Sequence, residues 1–217
     1  MDFAAARRNM VDSQILPNRV IDQRVIDAMS EVPRENFVGA DQAGFAYVDE
    51  ALALGDGRFI MEPMVIARLL ETANLDEDDV VLCIGCGSGY ASAVIAGIVN
   101  TVVAVESDKG QAQKASDILA ELGIDNVAVV DGNLAEGKAD QGPYDVIFFD
   151  GAVSQIPEAI SRQLSDGGRL VAIVSPEGGH GTAELITRHG DAYSNRQVFD
   201  AGTPALPGFE SEKAFVF

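Results

Sequence analysis

Positive charge is scarce in this sequence. Across 217 residues, 15 Lys plus Arg stand against 34 Asp plus Glu, for a net charge of −19. A surface so acidic repels phosphate backbones and anionic lipid, so neither a nucleic acid nor a membrane surface is an expected partner. Long apolar runs are absent as well. None approaches the ~18 residues that span a bilayer, and Met-Asp-Phe-Ala-Ala-Ala-Arg-Arg lacks the basic-then-apolar order of a secretory leader. Cysteine is limited to two residues, which with no leader points to the reducing cytoplasm. Those two, Cys83 and Cys86, form a Cys-x-x-Cys. Cys83 falls inside an apolar run and Cys86 inside a glycine turn, neither opens a helix, and no second pair or nearby His completes a metal set. The spacing therefore reads as incidental. The two histidines, His180 and His189, come late, lack partners in the sequence and read as surface residues.

What is present is a periodic alternation of elements. Residues 3–30 read as two helices, with Val20, Ile21, Val25, Ile26 and Met29 at helical spacing. Pro33 ends that pattern. Residues 34–60 read as irregular, and Pro63 opens a further helix, where its missing N–H costs nothing. Val80–Ile84 is a short, continuously apolar run, as expected of a strand buried on both faces of a parallel sheet. A helix from Ser88 to Ile98, a strand from Thr101 to Val105 and a helix from Asp108 to Leu122 follow. Val127–Val130, Val146–Phe149 and Leu170–Val174 give three more strands. Arg196–Phe199 and residues 214–217 read as an antiparallel edge pair. This order predicts one α/β domain over residues 1–217, a Rossmann-like, mainly parallel sheet with helices on both faces. Residues 1–60 form an N-terminal helical cap and 61–217 the core.

The segment with chemical content is Gly85-Cys86-Gly87-Ser88-Gly89, between a strand and a helix. Its Gly-x-Gly-x-Gly spacing differs from the dinucleotide fingerprint, whose third glycine comes one residue later to admit a pyrophosphate. A ligand without phosphate, such as S-adenosyl-L-methionine, needs only close backbone approach at this turn. Glu106 ends the next strand, where an acid can accept from both ribose hydroxyls, with Ser107 beside it. Asp131-Gly132-Asn133 follows the third strand, where an adenine edge would lie. All three places fall at carboxyl ends of consecutive strands, the ligand-binding edge of open α/β sheets. The cofactor set is thus Cys83, Gly85, Cys86, Gly87, Ser88, Gly89, Glu106, Ser107, Asp131, Gly132 and Asn133.

The chain also resembles the protein-L-isoaspartate O-methyltransferase family over nearly its whole length. Ala28-Met29, Val32-Pro33-Arg34-Glu35 and Phe37-Val38 are similar to one family motif. Ala46-Tyr47, Asp49, Leu52, Gly55 and Gly57 are similar to a second. Asp131-Gly132, Ile156-Pro157 and Leu164 with Gly167-Gly168 continue the likeness. The resemblance implies methyl transfer from S-adenosylmethionine to the free carboxylate of an isoaspartyl residue in a damaged protein, whose ester collapses to a succinimide and reopens partly to aspartate. It implies an acceptor site at Phe59-Ile60-Met61, where the family carries Thr-x-Ser before the proline. Phe59 and Met61 replace both hydroxyl residues, Cys83 replaces an acid that helps hold the cofactor, and Asp150 stands where the family has a small or hydroxylated residue. Three readings follow. The chain repairs isoaspartyl protein; or it methylates a less charged acceptor with Asp150 as base or orienting group; or it binds cofactor without catalysis.

Overall fold

The computed structural model describes residues 1–176 and 180–209. Seven strands form the central sheet: β3 (Val80–Ile84), β4 (Thr101–Glu106), β5 (Val127–Asp131), β6 (Tyr144–Val153), β7 (Leu164–Val174), β8 (Thr182–His189) and β9 (Ala192–Asp200). Their spatial order is β5-β4-β3-β6-β7-β8-β9. The first five run parallel, and β8 and β9 add antiparallel at one edge. Strand order reverses between β3 and β6, which leaves a crevice at their carboxyl ends.

The continuously apolar strands are explained by two cores, one on each face. Val81 and Cys83 of β3 pack into the first cluster, while Leu82 and Ile84 pack into the second. Val102 and Ala104 against Val103 and Val105 on β4, and Phe148 against Ile147 and Phe149 on β6, alternate in the same way. Each face must therefore be apolar, because side chains point to opposite sides at every step.

Helices α1 (Phe3–Met10), α2 (Gln23–Glu31), α3 (Pro63–Ala73), α4 (Tyr90–Ala96), α5 (Lys109–Glu121) and α6 (Glu158–Ser161) complete the layers. Caps fix where several begin. The Asp22 carboxylate accepts from the Arg24 amide at 2.9 Å, and Asp108 accepts from the Gln111 amide at 2.8 Å. Asn74 ends α3 in the left-handed region, with φ 48°.

The N-terminal helices are pinned by polar contacts. Arg7 Nε donates to the Tyr47 hydroxyl at 2.9 Å, and that hydroxyl donates to the Glu35 carboxylate. Tyr47 and Glu35 of the family-like motifs thus close one network.

Four local expectations change. The helix expected from Ser88 begins at Tyr90, because Gly87 and Gly89 hold φ values of 54° and 94° and keep the turn open. The first helical stretch runs on from α1 through a π turn and a 3-10 turn to Arg19, at φ 64°. Residues 34–60 are not wholly irregular. Leu52–Gly55 (β1) pairs antiparallel with Arg58–Ile60 (β2) across an Asp56-Gly57 turn in which both φ values are positive. Finally, β9 pairs with β8, a strand whose Thr-Ala-Glu-Leu-Ile sequence mixes helix and strand formers. Residues 214–217, the expected partner, lie outside the described residues.

Leu82 is fully buried between β4 and β6. Truncating Leu82→Ala should cost about 2–5 kcal/mol of unfolding free energy, as buried Leu truncations do. Urea titration followed by circular dichroism measures this, and a loss below ~1 kcal/mol would mean that the sheet centre relaxes around the gap.

Candidate functional site

The carboxyl ends of β3, β4 and β6 meet around one carboxylate. Glu106 ends β4 and is fully buried. Its Oε1 accepts from the amides of Ser107 at 2.8 Å and Asp108 at 3.0 Å. Its Oε2 accepts from the Gly87 amide at 2.7 Å and from Arg58 Nη2 at 2.7 Å and Nε at 3.2 Å. Arg58, on β2, is 2% exposed and also donates from Nη2 to the Gly85 carbonyl at 2.6 Å. Carboxylate, guanidinium and glycine turn thus form one closed network. The hairpin of β1 and β2 is what delivers the guanidinium there.

Gly85 must be glycine for two reasons. Its φ is 79°, and a Cβ built there would lie 2.6 Å from Leu206 and 3.0 Å from Arg58 Nη2. Leu206 belongs to a strap held on β6: the Ala152 amide donates to the Pro204 carbonyl at 2.9 Å, and the Leu206 amide donates to the Ala152 carbonyl at 2.7 Å. Between strap and hairpin lies a cavity of about 10 Å³ bounded by Arg58, Phe59, Met61, Asp150 and Leu206. That holds one water at most, since a water needs roughly 10–15 Å³.

Asp150 lies within β6, at the irregularity between Phe148 and Ala152 where pairing with β7 is interrupted, and is 4% exposed. It caps no helix, and its Oδ1 has no hydrogen-bond partner among the described residues. Burial is the main cause that pushes its carboxyl up to about 7, while Arg58 and Arg34 pull it down and Glu106 adds to the rise. Arg34 is fully buried. It donates from Nε to the Ala46 carbonyl at 2.6 Å and from Nη2 to the Met61 carbonyl at 2.8 Å, and its guanidinium lies 4.7 Å from the Tyr90 ring centroid. Burial lowers its pKa. The Val-Pro-Arg-Glu motif therefore ties the Ala46 segment to the stretch that holds Met61.

The expected site residues divide into groups. Gly85, Gly87, Glu106 and Ser107 come together by hydrogen bonds, with Cys86 and Gly89 in the same turn. Ser88 is buried in that turn, its Oγ without a partner among the described residues. Cys83 packs in the sheet core, and burial raises both thiols, which makes them unreactive. Asp131 faces solvent and pairs with Lys109 at 3.4 Å. Asn133 accepts from the Ala135 amide at 3.0 Å, a local turn contact, and the Gly132 amide donates to the Glu106 carbonyl at 3.0 Å. Phe59 and Met61 reach the small cavity, whereas Ile60 is 3% exposed and packs in the core. His180 and His189 are exposed. Among the described residues no cluster of His, Cys, Asp or Glu could hold a metal ion, and no helix is long and apolar enough to cross a membrane.

A glycine turn after the first parallel strand, backed by a buried acid at the end of its neighbour, defines the nucleoside-binding class of doubly wound α/β proteins. Within that class the family is specific. Residues 6–201 match the protein-L-isoaspartate(D-aspartate) O-methyltransferase family, and the chain belongs to it. A protein-L-isoaspartate O-methyltransferase of Roseiflexus sp. (strain RS-1) is 38% identical over 210 residues, covering 96% of this chain and 94% of the relative. That of Nitrobacter winogradskyi is 37% identical over 212 residues, covering 97% and 98%. Among solved structures, a protein-L-isoaspartate O-methyltransferase superposes with a TM-score of 0.83 at 27% identity, covering 93% of this chain and 66% of that one. A Plasmodium falciparum structure assigned to the same enzyme, solved with S-adenosyl-L-homocysteine, shares the fold with a TM-score of 0.78 at 20% identity, covering 95% and 98%.

The turn and the acid suit S-adenosylmethionine in kind. The conformation does not admit it, because Arg58 takes the Glu106 lone pairs that ribose hydroxyls would use and Leu206 covers Gly85.

The raised carboxyl of Asp150 has a stability consequence. Its folded pKa of about 7 lies above its ordinary value of 3.8, so the folded chain holds a proton that the unfolded chain has lost. Stability should fall as pH rises from about 4 to about 7, and Asp150→Asn should remove that slope. Thermal melts across this range test it; parallel curves for both proteins would contradict it.

Proposed function

We propose that this protein is an S-adenosylmethionine-dependent methyltransferase that esterifies the free carboxylate of isoaspartyl residues in damaged proteins, working in the cytoplasm. Family membership over residues 6–201 carries the reading. The relatives' names supply the acceptor, and the glycine turn with Glu106 supplies a place for the donor. When bound, S-adenosylmethionine provides an electrophilic methyl on its sulfonium. Gly85 and Gly87 would let it approach the backbone, and Glu106 would hold its ribose once Arg58 has moved.

A carboxylate acceptor is already ionised near neutral pH and needs no base. The chain must orient it and replace its water. Met61 offers no donor, but the same cavity wall carries the Arg58 guanidinium. Asp150 also changes role. On charge alone it would repel an anionic acceptor, yet a carboxyl pushed up to about 7 is largely neutral below that pH and can itself donate. The unpartnered Oδ1 equally favours a second reading, in which ionised Asp150 accepts a proton from a neutral hydroxyl or amine acceptor.

Methyl transfer to an isoaspartyl peptide and to its normal aspartyl twin separates the two. Repair predicts transfer to the first peptide only, with activity falling as pH rises through about 7 in wild type and a flatter profile in Asp150→Asn. No transfer to the isoaspartyl peptide at any pH would leave the second reading.

A further inference from the structure

Three observations at the glycine turn concern one side chain. Arg58 and Glu106 are 2% and 0% exposed, and their contact at 2.7 Å is inside the sheet edge rather than on the surface. Both Glu106 oxygens are taken, Oε1 by two backbone amides and Oε2 by Arg58 and the Gly87 amide. A ribose diol therefore cannot reach this carboxylate without first displacing the guanidinium. The guanidinium cannot shed its charge, and a buried cation leaving its partner needs another anion. The cavity it already lines holds a carboxyl that becomes one when it gives up its proton: Asp150, itself buried, with an Oδ1 that lacks any hydrogen-bond partner among the described residues.

The geometry points to Arg58 as a two-position switch, which occupies the ribose acceptor of Glu106 in one position and moves onto Asp150 when the cofactor takes that acceptor. This rests on the proposed cofactor assignment and adds to it a residue that sets cofactor affinity. The switch acts as an intramolecular competitor, so measured affinity is the intrinsic affinity reduced by the fraction of molecules in which Glu106 is engaged. Asp150 lowers that penalty by offering the displaced cation a place. The exchange makes and breaks no covalent bond to carbon; it requires the Asp150 proton to pass to solvent, a change of partner by one side chain and some yielding of Leu206.

Calorimetric titration of S-adenosylhomocysteine into the full-length protein tests this without a methyl acceptor. Arg58→Gln removes the competitor and should bind tenfold or more tightly than wild type. Asp150→Asn removes the landing site and should bind several-fold more weakly. The weakening should vanish in the Arg58→Gln/Asp150→Asn double variant, because no cation remains to be placed. Arg58→Lys, which keeps a cation at the site, should bind more weakly than Arg58→Gln and guards against misreading a packing defect. Circular dichroism confirms that each variant is folded. Arg58→Gln binding no more tightly than wild type overturns the switch, and so does an Asp150→Asn defect that persists in the double variant. The repair assignment fails separately: tighter binding by Arg58→Gln together with no transfer to isoaspartyl peptide by the wild-type protein would retain the switch and remove that acceptor.

Discussion

The buried pairing of Arg58 with Glu106 is the interaction on which the rest of the ligand edge depends. Removing two charges from water costs several kcal/mol per ion, and their attraction repays this only when the remaining donors and acceptors are satisfied. Here they are met almost entirely by backbone: the amides of Gly87, Ser107 and Asp108, and the Gly85 carbonyl. The glycine turn, the start of α5 and the β1–β2 hairpin are thereby fixed to one another through a single carboxylate. Such a pair adds little net stability but specifies one arrangement of three loops.

The sheet makes that arrangement possible. Parallel strands buried on both faces bring their carboxyl ends to one edge, and the reversal of strand order between β3 and β6 opens a gap there. In this chain the gap is filled from two sides. The hairpin supplies Arg58 and Phe59, and the strap at residues 204–206 supplies Leu206. The acid, the turn and the cover come from segments far apart in sequence that meet only because the sheet gathers them.

Much of the parallel core was legible in the sequence, since a strand with two apolar faces leaves an unbroken apolar run such as Val80–Ile84. The placement of the glycine turn and Glu106 at neighbouring strand ends was legible too, because it depends on spacing along the chain. The roles of Arg58 and Arg34 were not. Arg34 stands inside the Val-Pro-Arg-Glu motif and Arg58 directly precedes Phe59, but neither position reports where a guanidinium goes, and a long cation is ordinarily expected at the surface. The only available signal was the lone Arg within an otherwise apolar stretch, Arg58-Phe59-Ile60-Met61. Asp131 and Asn133 were read the other way round, from place alone. Their position after a strand suggested ligand contacts, while in the structure their side chains serve an ion pair and a turn. β8 was missed because Ala, Glu and Leu within it favour a helix as readily as a strand.

Arg34 has a consequence for how the molecule opens. Its two backbone contacts, to Ala46 in the cap and to Met61 beside the cavity, make a rivet between segments that share little else in sequence. Transient fraying of the N-terminal layer cannot stay local, since releasing Arg34 frees the Met61 backbone as well. Cap and cavity wall then behave as one cooperative opening unit. A large acceptor such as a protein chain could gain entry by loosening helices that never touch it.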